Sequence, residues 1–251
     1  MTDIDIAVAR LVQARQHHRL QPAPPLTDTA AAYAAQDRVA RELDWFGNAP
    51  PRHWKSGGAS REAAIFHAPL PPAGVWSSPA RAGSWRFGRR GIEAEVALRL
   101  REPVDAARAE SLDLAGAQSL IDAMCVSIEI VDSRWTDEPK APPLAQLADV
   151  LSHGALVLGG WVEFEARRDW ANQGCSVRIG EQPVRLFRGT HPMADPTFVV
   201  PAWLRHATRH GAVLTAGSVV TTGSWCGFLE AQAGDRIEVA FDGIGQASAW
   251  L

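Results

Sequence analysis

The stretch GIEAEVALRL, residues 91–100, alternates with a period of two from Ile92 onward. Ile92, Ala94, Val96, Leu98 and Leu100 point one way; Glu93, Glu95, Ala97 and Arg99 point the other. That period belongs to a β-strand, so the stretch is expected to be extended with one apolar face. It also puts the Glu93 and Glu95 carboxylates on the same face, about 7 Å apart at their bases. Two like charges that close repel unless a cation lies between them. A solvated strand face carries the same E-x-E spacing, so the pair alone does not decide between the two readings.

Glu129 adds weight to the cation. It sits in MCVSIEIVD (124–132), an otherwise apolar run whose strand is expected over Cys125–Val131. A lone carboxylate in such a run is costly unless it is paired or bound to a metal. The simplest partner along the chain is Arg134. The alternative joins Glu129 to Glu93 and Glu95 as an all-oxygen donor set, which suits Mg²⁺ or Mn²⁺ better than zinc. A helix over about 111–124, with Leu120, Ile121 and Met124 inward, is expected before this strand.

The N-terminal fifth has a different texture. Ile4, Val8, Leu11 and Val12 form one stripe at helical spacing, capped by Thr2 or Asp3, so residues 3–20 read as a helix. Pro22, Pro24 and Pro25 break it. A second helix follows Thr27-Asp28-Thr29, carries Tyr33 and Gln36 on one face, and closes before Gly47, Pro50 and Pro51. Beyond Pro50, glycine and proline punctuate short segments. Further strands are expected at 154–164, 175–179, 218–222 and 236–241, the last ending at a hairpin signal, Asp242-Gly243. The pattern is α+β: an N-terminal helical segment, 1–50, and a strand-rich body, 51–251, in one domain overall.

Composition excludes several classes. A formal net charge of -3 gives no electrostatic reason for a nucleic-acid partner. No apolar run approaches the ~20 residues of a membrane span, and the acidic N-terminus is unlike a secretory leader. Cys125, Cys175 and Cys226 match no zinc spacing and read as thiols of a reducing, cytoplasmic compartment. The ten tryptophans read mainly as core or interface.

Six phrases together resemble one family. They are AAYAAQ (31–36), WKSGG (54–58), GIEAEVAL (91–98), SIEIVDSR (127–134), TTGSWCG (221–227) and AGDRIEVAFDGIG (233–245). In order and spacing they are similar to the fumarylacetoacetate hydrolase superfamily, in the branch of 2-keto-4-pentenoate hydratases and 4-oxalocrotonate decarboxylases. The resemblance implies a mixed β-sandwich roll with N-terminal helices, and Mg²⁺ or Mn²⁺ held by Glu93, Glu95 and Glu129. It implies a small-molecule 2-oxo or enol acid chelating that ion, a homo-oligomer, and hydration of a 2-hydroxydienoate such as 2-keto-4-pentenoate through a metal-stabilised enolate. Decarboxylation of the 4-oxalocrotonate type, acylpyruvate C–C hydrolysis and plain keto-acid binding are the alternatives. Lys55 matches the family's lysine phrase and Ser152, in V-L-S-H-G, its serine phrase; both are expected at the substrate. Thr222 is expected to bind substrate. His53 and His153 flank the two candidate loops, and His153 is taken as a catalytic candidate. Trp225 and Cys226 line the pocket or pack the core. Three positions depart from the pattern. Pro72 in PLPPAGVW (69–76) stands near an acidic position, Val150 replaces an asparagine, and the lysine phrase reads K-S-G.

Overall fold

The computed structural model describes residues 1–137 and 140–251. Helix α1 (Asp3–His17) opens with a capping box. The Thr2 side chain accepts from the Asp5 amide, and the Asp5 carboxylate accepts from the Thr2 amide at 2.8 Å. His18, at φ 52, ends the helix in the left-handed region. Helix α2 (Thr29–Glu42) is capped by Asp28, whose carboxylate takes the Ala31 amide.

The body is built mainly of strands. In chain order they begin with β1 (His53–Gly57), β2 (Phe66–Pro69), β3 (Val75–Ser77), β4 (Ala80–Arg81) and β5 (Gly91–Leu100). Two short helices, α3 (Ala106–Ser111) and α4 (Leu114–Ser119), lead into β6 (Ile121–Val131). Helix α5 (Pro143–Ala148) precedes β7 (His153–Leu158), β8 (Val162–Glu163), β9 (Gly174–Ile179) and β10 (Arg185–Arg188). Helix α6 (Val200–Ala207) is followed by β11 (Val219–Thr221), β12 (Leu229–Glu230), β13 (Arg236–Phe241) and β14 (Gly245–Trp250).

Among the described residues, these strands form two curled sheets. The larger runs β2-β1-β11-β5-β6-β7-β3, with β12 beside β5 and β8 beside β6; the smaller runs β10-β9-β13-β14-β4. Ile92, Val96, Val126 and Ile128 of the larger sheet share one core with Val177, Val239 and Phe241 of the smaller. Helices α1, α2 and α5 form a satellite core, with Val8, Leu11, Val39 and Leu147 at its centre. Gln36 ties α2 to it by donating to the Leu147 carbonyl at 2.8 Å.

Most expected elements appear, with three differences. The helix over 111–124 does not exist as such. The chain is helical only to Ser119, and Ile121 and Met124 already belong to β6. The cause is pairing: β6 runs antiparallel to β5 along the whole of β5, down to Leu100 opposite Ile121, and this ladder overrides local helix preference. The strand expected at 154–164 is split into β7 and β8, with Gly159 and Gly160 between them. Finally, the glutamate face of β5 is largely covered, with Glu93 and Arg99 only partly exposed. Ala97 is buried with Cys125 and Val219, and of the glutamates on that face Glu95 is buried and Glu93 partly so. The Asp242-Gly243 signal holds: Gly243, at φ 69, turns the chain between β13 and β14.

Candidate metal centre

Neighbouring strands carry one polar row. Lys55 on β1 lies opposite Thr221 on β11, and Thr221 lies opposite Ala97 on β5. Two residues along β5, Glu95 faces Ser127 on β6, and Glu93 faces Glu129 directly. Period two puts these side chains on one face of the sheet. Each of Glu93, Glu95 and Glu129 offers a carboxylate oxygen within 4.8 Å of the other two.

The partners are specific. The Lys55 ammonium donates to Glu129 Oε1 at 2.6 Å and to the Leu151 carbonyl at 3.2 Å. His153 Nδ1 stands 3.2 Å from the same Glu129 oxygen. The Thr221 hydroxyl donates to Glu95, and Ser127 Oγ lies 2.8 Å from Thr221 Oγ1. Glu129 Oε2, Ser152 Oγ and His153 Nε2 are buried without a partner.

Charge decides what this arrangement can hold. With all three carboxylates ionised, Lys55 offsets one, which leaves two negative charges in a buried site. Burial, the largest cause, pushes the Glu93 carboxyl up to about 8 and the Glu95 carboxyl up to about 7. Burial would raise Glu129 as well, but the Lys55 ammonium and the His153 contact outweigh it and hold Glu129 below its ordinary range. Burial would lower Lys55, but the three glutamates outweigh it and raise it. Burial keeps His153 below its ordinary value. A divalent cation would supply the missing two charges and a partner for Glu129 Oε2, and three carboxylates suit a hard ion. The residues present therefore fit such a group.

A cavity of about 280 Å³ opens onto this row; Lys55, Arg89, Glu93, Gln146, Leu151 and Ser152 line it. The Ser152 loop is strained. Val150, Leu151 and Ser152 have φ of 51, 55 and 57 in succession, a left-handed run of non-glycine residues. Each costs on the order of 1 kcal/mol, and such strain concentrates at functional sites.

The structure thus brings Glu93, Glu95, Glu129, Lys55, Ser152 and His153 together. Thr222 is placed differently: it is buried and its hydroxyl donates to the Val96 carbonyl at 2.7 Å, while Thr221 reaches Glu95. His53 begins β1 opposite Val219 and does not line the cavity. Trp225 is core, edge-on to Phe241, and Cys226 Sγ accepts from the Ala94 amide. The expected Glu129–Arg134 pair is absent. Arg134 Nε donates to Asp149 at 2.7 Å, because the residue has left β6 and turned towards the satellite core. Thr221, Ser127, Arg89 and Gln146 were not singled out in the sequence. Two had a signal there: Ser127 lies two residues before Glu129 on the same strand face, and Thr221 opens the TTGSWCG phrase.

Comparison with known proteins identifies the family and the fold. The fumarylacetoacetate (FAA) hydrolase C-terminal family model matches residues 47–250. A 2-keto-4-pentenoate hydratase of Dechloromonas aromatica is 32% identical over 159 residues, covering 63% of this chain and 59% of that protein. A 4-oxalocrotonate decarboxylase of Pseudomonas putida is 25% identical over 158 residues, covering 63% and 58%. The chain thus spans about three fifths of the length of the curated relatives it matches. Among solved structures, 4-oxalocrotonate decarboxylase from Pseudomonas putida G7, complexed with magnesium and adipate, superposes with a TM-score of 0.83 at 20% identity, covering 98% of this chain and 96% of that one. Its complex with calcium and acetate gives 0.81 at 20% identity, covering 100% and 98%. At that identity the likeness speaks for the fold. With one family model over residues 47–250 and the fold shared along nearly the whole length, this chain belongs to the fumarylacetoacetate hydrolase C-terminal family.

Proposed function

We propose that this chain is a Mg²⁺- or Mn²⁺-dependent hydratase of 2-hydroxydienoates or 2-oxo acids such as 2-keto-4-pentenoate. The observation that carries the reading is the meeting of three glutamate oxygens within 4.8 Å, with Lys55 as the cation bonded to the cluster. Glu93, Glu95 and Glu129 would hold the ion. Such an ion would supply positive charge to offset the negative charge that grows on an enolate oxygen.

The chain's own residues do the remaining work. Lys55 lines the cavity and reaches Glu129, so its ammonium is placed to hold the acid's carboxylate or to pass a proton. Ser152 Oγ has no partner and lines the same cavity, which suits a donor to a substrate oxygen. His153 keeps its ring on Glu129 and holds that carboxylate in place. Pro72, near the acidic position of the resembling branch, offers no proton, so proton transfer falls to Lys55, which lines the cavity. Leu151, Val131 and Phe228 form the apolar part of the wall.

Decarboxylation is the second reading, since a 4-oxalocrotonate decarboxylase is among the relatives the chain resembles. The test is turnover of 2-hydroxypenta-2,4-dienoate with Mg²⁺, followed by ultraviolet absorbance. Metal-dependent loss of the diene signal that disappears in Glu95→Gln supports hydration. Turnover that survives both chelation and Glu95→Gln would overturn the metal assignment. Carbon dioxide released from 2-oxohex-3-enedioate would move the assignment to the second reading.

A further inference from the structure

A second and larger cavity, about 740 Å³, shares no lining residue with the first; His153 lines it, while the preceding Ser152 lines the first. His153 is 1% exposed. Its Nδ1 is taken by Glu129, and its Nε2, on the other edge of the ring, has no partner. That Nε2 lies 3.5 Å from where a Cβ on Gly74 would stand, and Gly74 and His153 both line the larger cavity. A buried nitrogen left without a partner at the wall of a roomy cavity is a place for a ligand's polar atom.

The walls specify the kind of ligand. Trp76 stands edge-on to Trp85 at 5.4 Å and to Phe87 at 6.3 Å, and all three line the cavity. Planar faces in that arrangement take a planar, apolar body. The charge is one-sided. Arg15, Arg19, Arg81, Arg86 and Arg134 line the cavity, and Asp132 is the one carboxylate among the lining residues. Arg15 and Arg134 share the buried Asp149 at 2.9 and 2.7 Å. Five guanidinium groups against Asp132 and Asp149 leave three positive charges, in a chain whose formal net charge is -3. Arg19 and Arg86 are exposed and make no ion pair among the described residues. A fourth aromatic, Trp45, lies under the Arg15 guanidinium at 4.9 Å. Guanidinium groups beside an aromatic wall recognise a carboxylate carried on a flat body.

We propose that this cavity is a second ligand site, built for a planar organic acid anion and separate from the glutamate cluster. It does not depend on which reaction the cluster performs. The ligand's ring lies against Trp76, Trp85 and Phe87. Its carboxylate meets the arginines at the mouth, and a polar atom of the ligand or a water it carries meets His153 Nε2.

Benzoate is the probe, with neutral benzamide as its control, followed by calorimetry and by quenching of tryptophan fluorescence in the full-length protein. Saturable benzoate binding is expected, with benzamide at least about tenfold weaker. Replacing both Arg19→Gln and Arg86→Gln is expected to weaken benzoate about tenfold, and Trp85→Leu to remove most of the quenching. Saturating Mg²⁺ with oxalate, which would fill the glutamate cluster, is expected to leave benzoate affinity unchanged. Four results would each overturn the proposal: no binding up to about 10 mM, equal binding of benzamide, equal affinity in the double variant, or competitive displacement by Mg²⁺ with oxalate. A pocket closed by a second copy of the chain gives the first of these.

Discussion

Lys55 is one of only two lysines in a chain that otherwise uses arginine. It meets Glu129 across 74 residues of sequence. Removing it leaves a buried anion without its cation, which costs more than the pair itself contributes. Lys55→Met is therefore expected to lower stability by about 3 kcal/mol in metal-free urea denaturation, and to cut turnover by about 100-fold. Lys55→Arg should retain most of the stability, because the charge stays, and little of the turnover, because a guanidinium does not give up a proton. Equal loss in both variants would make the lysine purely structural. Thr221 acts one step further out, through its bond to Glu95. Thr221→Val is expected to weaken Mn²⁺ binding by about tenfold in calorimetric titration, since groups that orient metal ligands have effects of that size.

At the level of strands and helices, the β5–β6 ladder places the site. Its register puts Glu93 opposite Glu129, and a slip of β6 by one residue would turn Glu129 to the face away from Glu93 and Glu95. The strand reading of 91–100 follows from period two alone. The end of the helix before β6 was not readable locally, because Leu120, Ile121 and Met124 fit a helical stripe as well as a strand. Only the partner strand separates the two. Arg134 makes the same point. Near Glu129 in sequence, it works instead between β6 and α5, where it and Arg15 hold the fully buried Asp149. Arg134→Met is expected to cost about 3 kcal/mol in chemical denaturation by stripping that carboxylate of a partner, with Mn²⁺ affinity unchanged. A matching loss of metal affinity would return Arg134 to the glutamate site.

For the whole molecule, two sets of buried groups pull stability in opposite directions with pH. Burial holds His67 down to about 3 and His191 down to about 4. Folded values below the unfolded one mean that their contribution is whole above about pH 6.5 and is lost as pH falls. Each is worth about 2 kcal/mol by pH 5. Glu93 and Glu95 are raised instead, so without metal their contribution is whole below about pH 4.5 and is lost as pH rises through 7 to 8. An ion on those carboxylates removes that loss. The rise in melting temperature on adding Mg²⁺ is therefore expected to grow between about pH 5.5 and pH 8 in thermal scans. A rise that is constant across that range would place the ion elsewhere. Spacing along the chain was enough to reveal the N-terminal helices, the longer central strands and the shared face of Glu93 and Glu95, because covalent geometry sets those periods over a few residues; β1 to β4, β10, β12 and β14 were not read. The company those side chains keep was settled by folding. Lys55 and His153 on one Glu129 oxygen, Thr221 rather than Thr222 at Glu95, and Arg134 on Asp149 depend on which strands and loops lie side by side. That is a matter of packing between segments far apart in sequence, which no local period encodes.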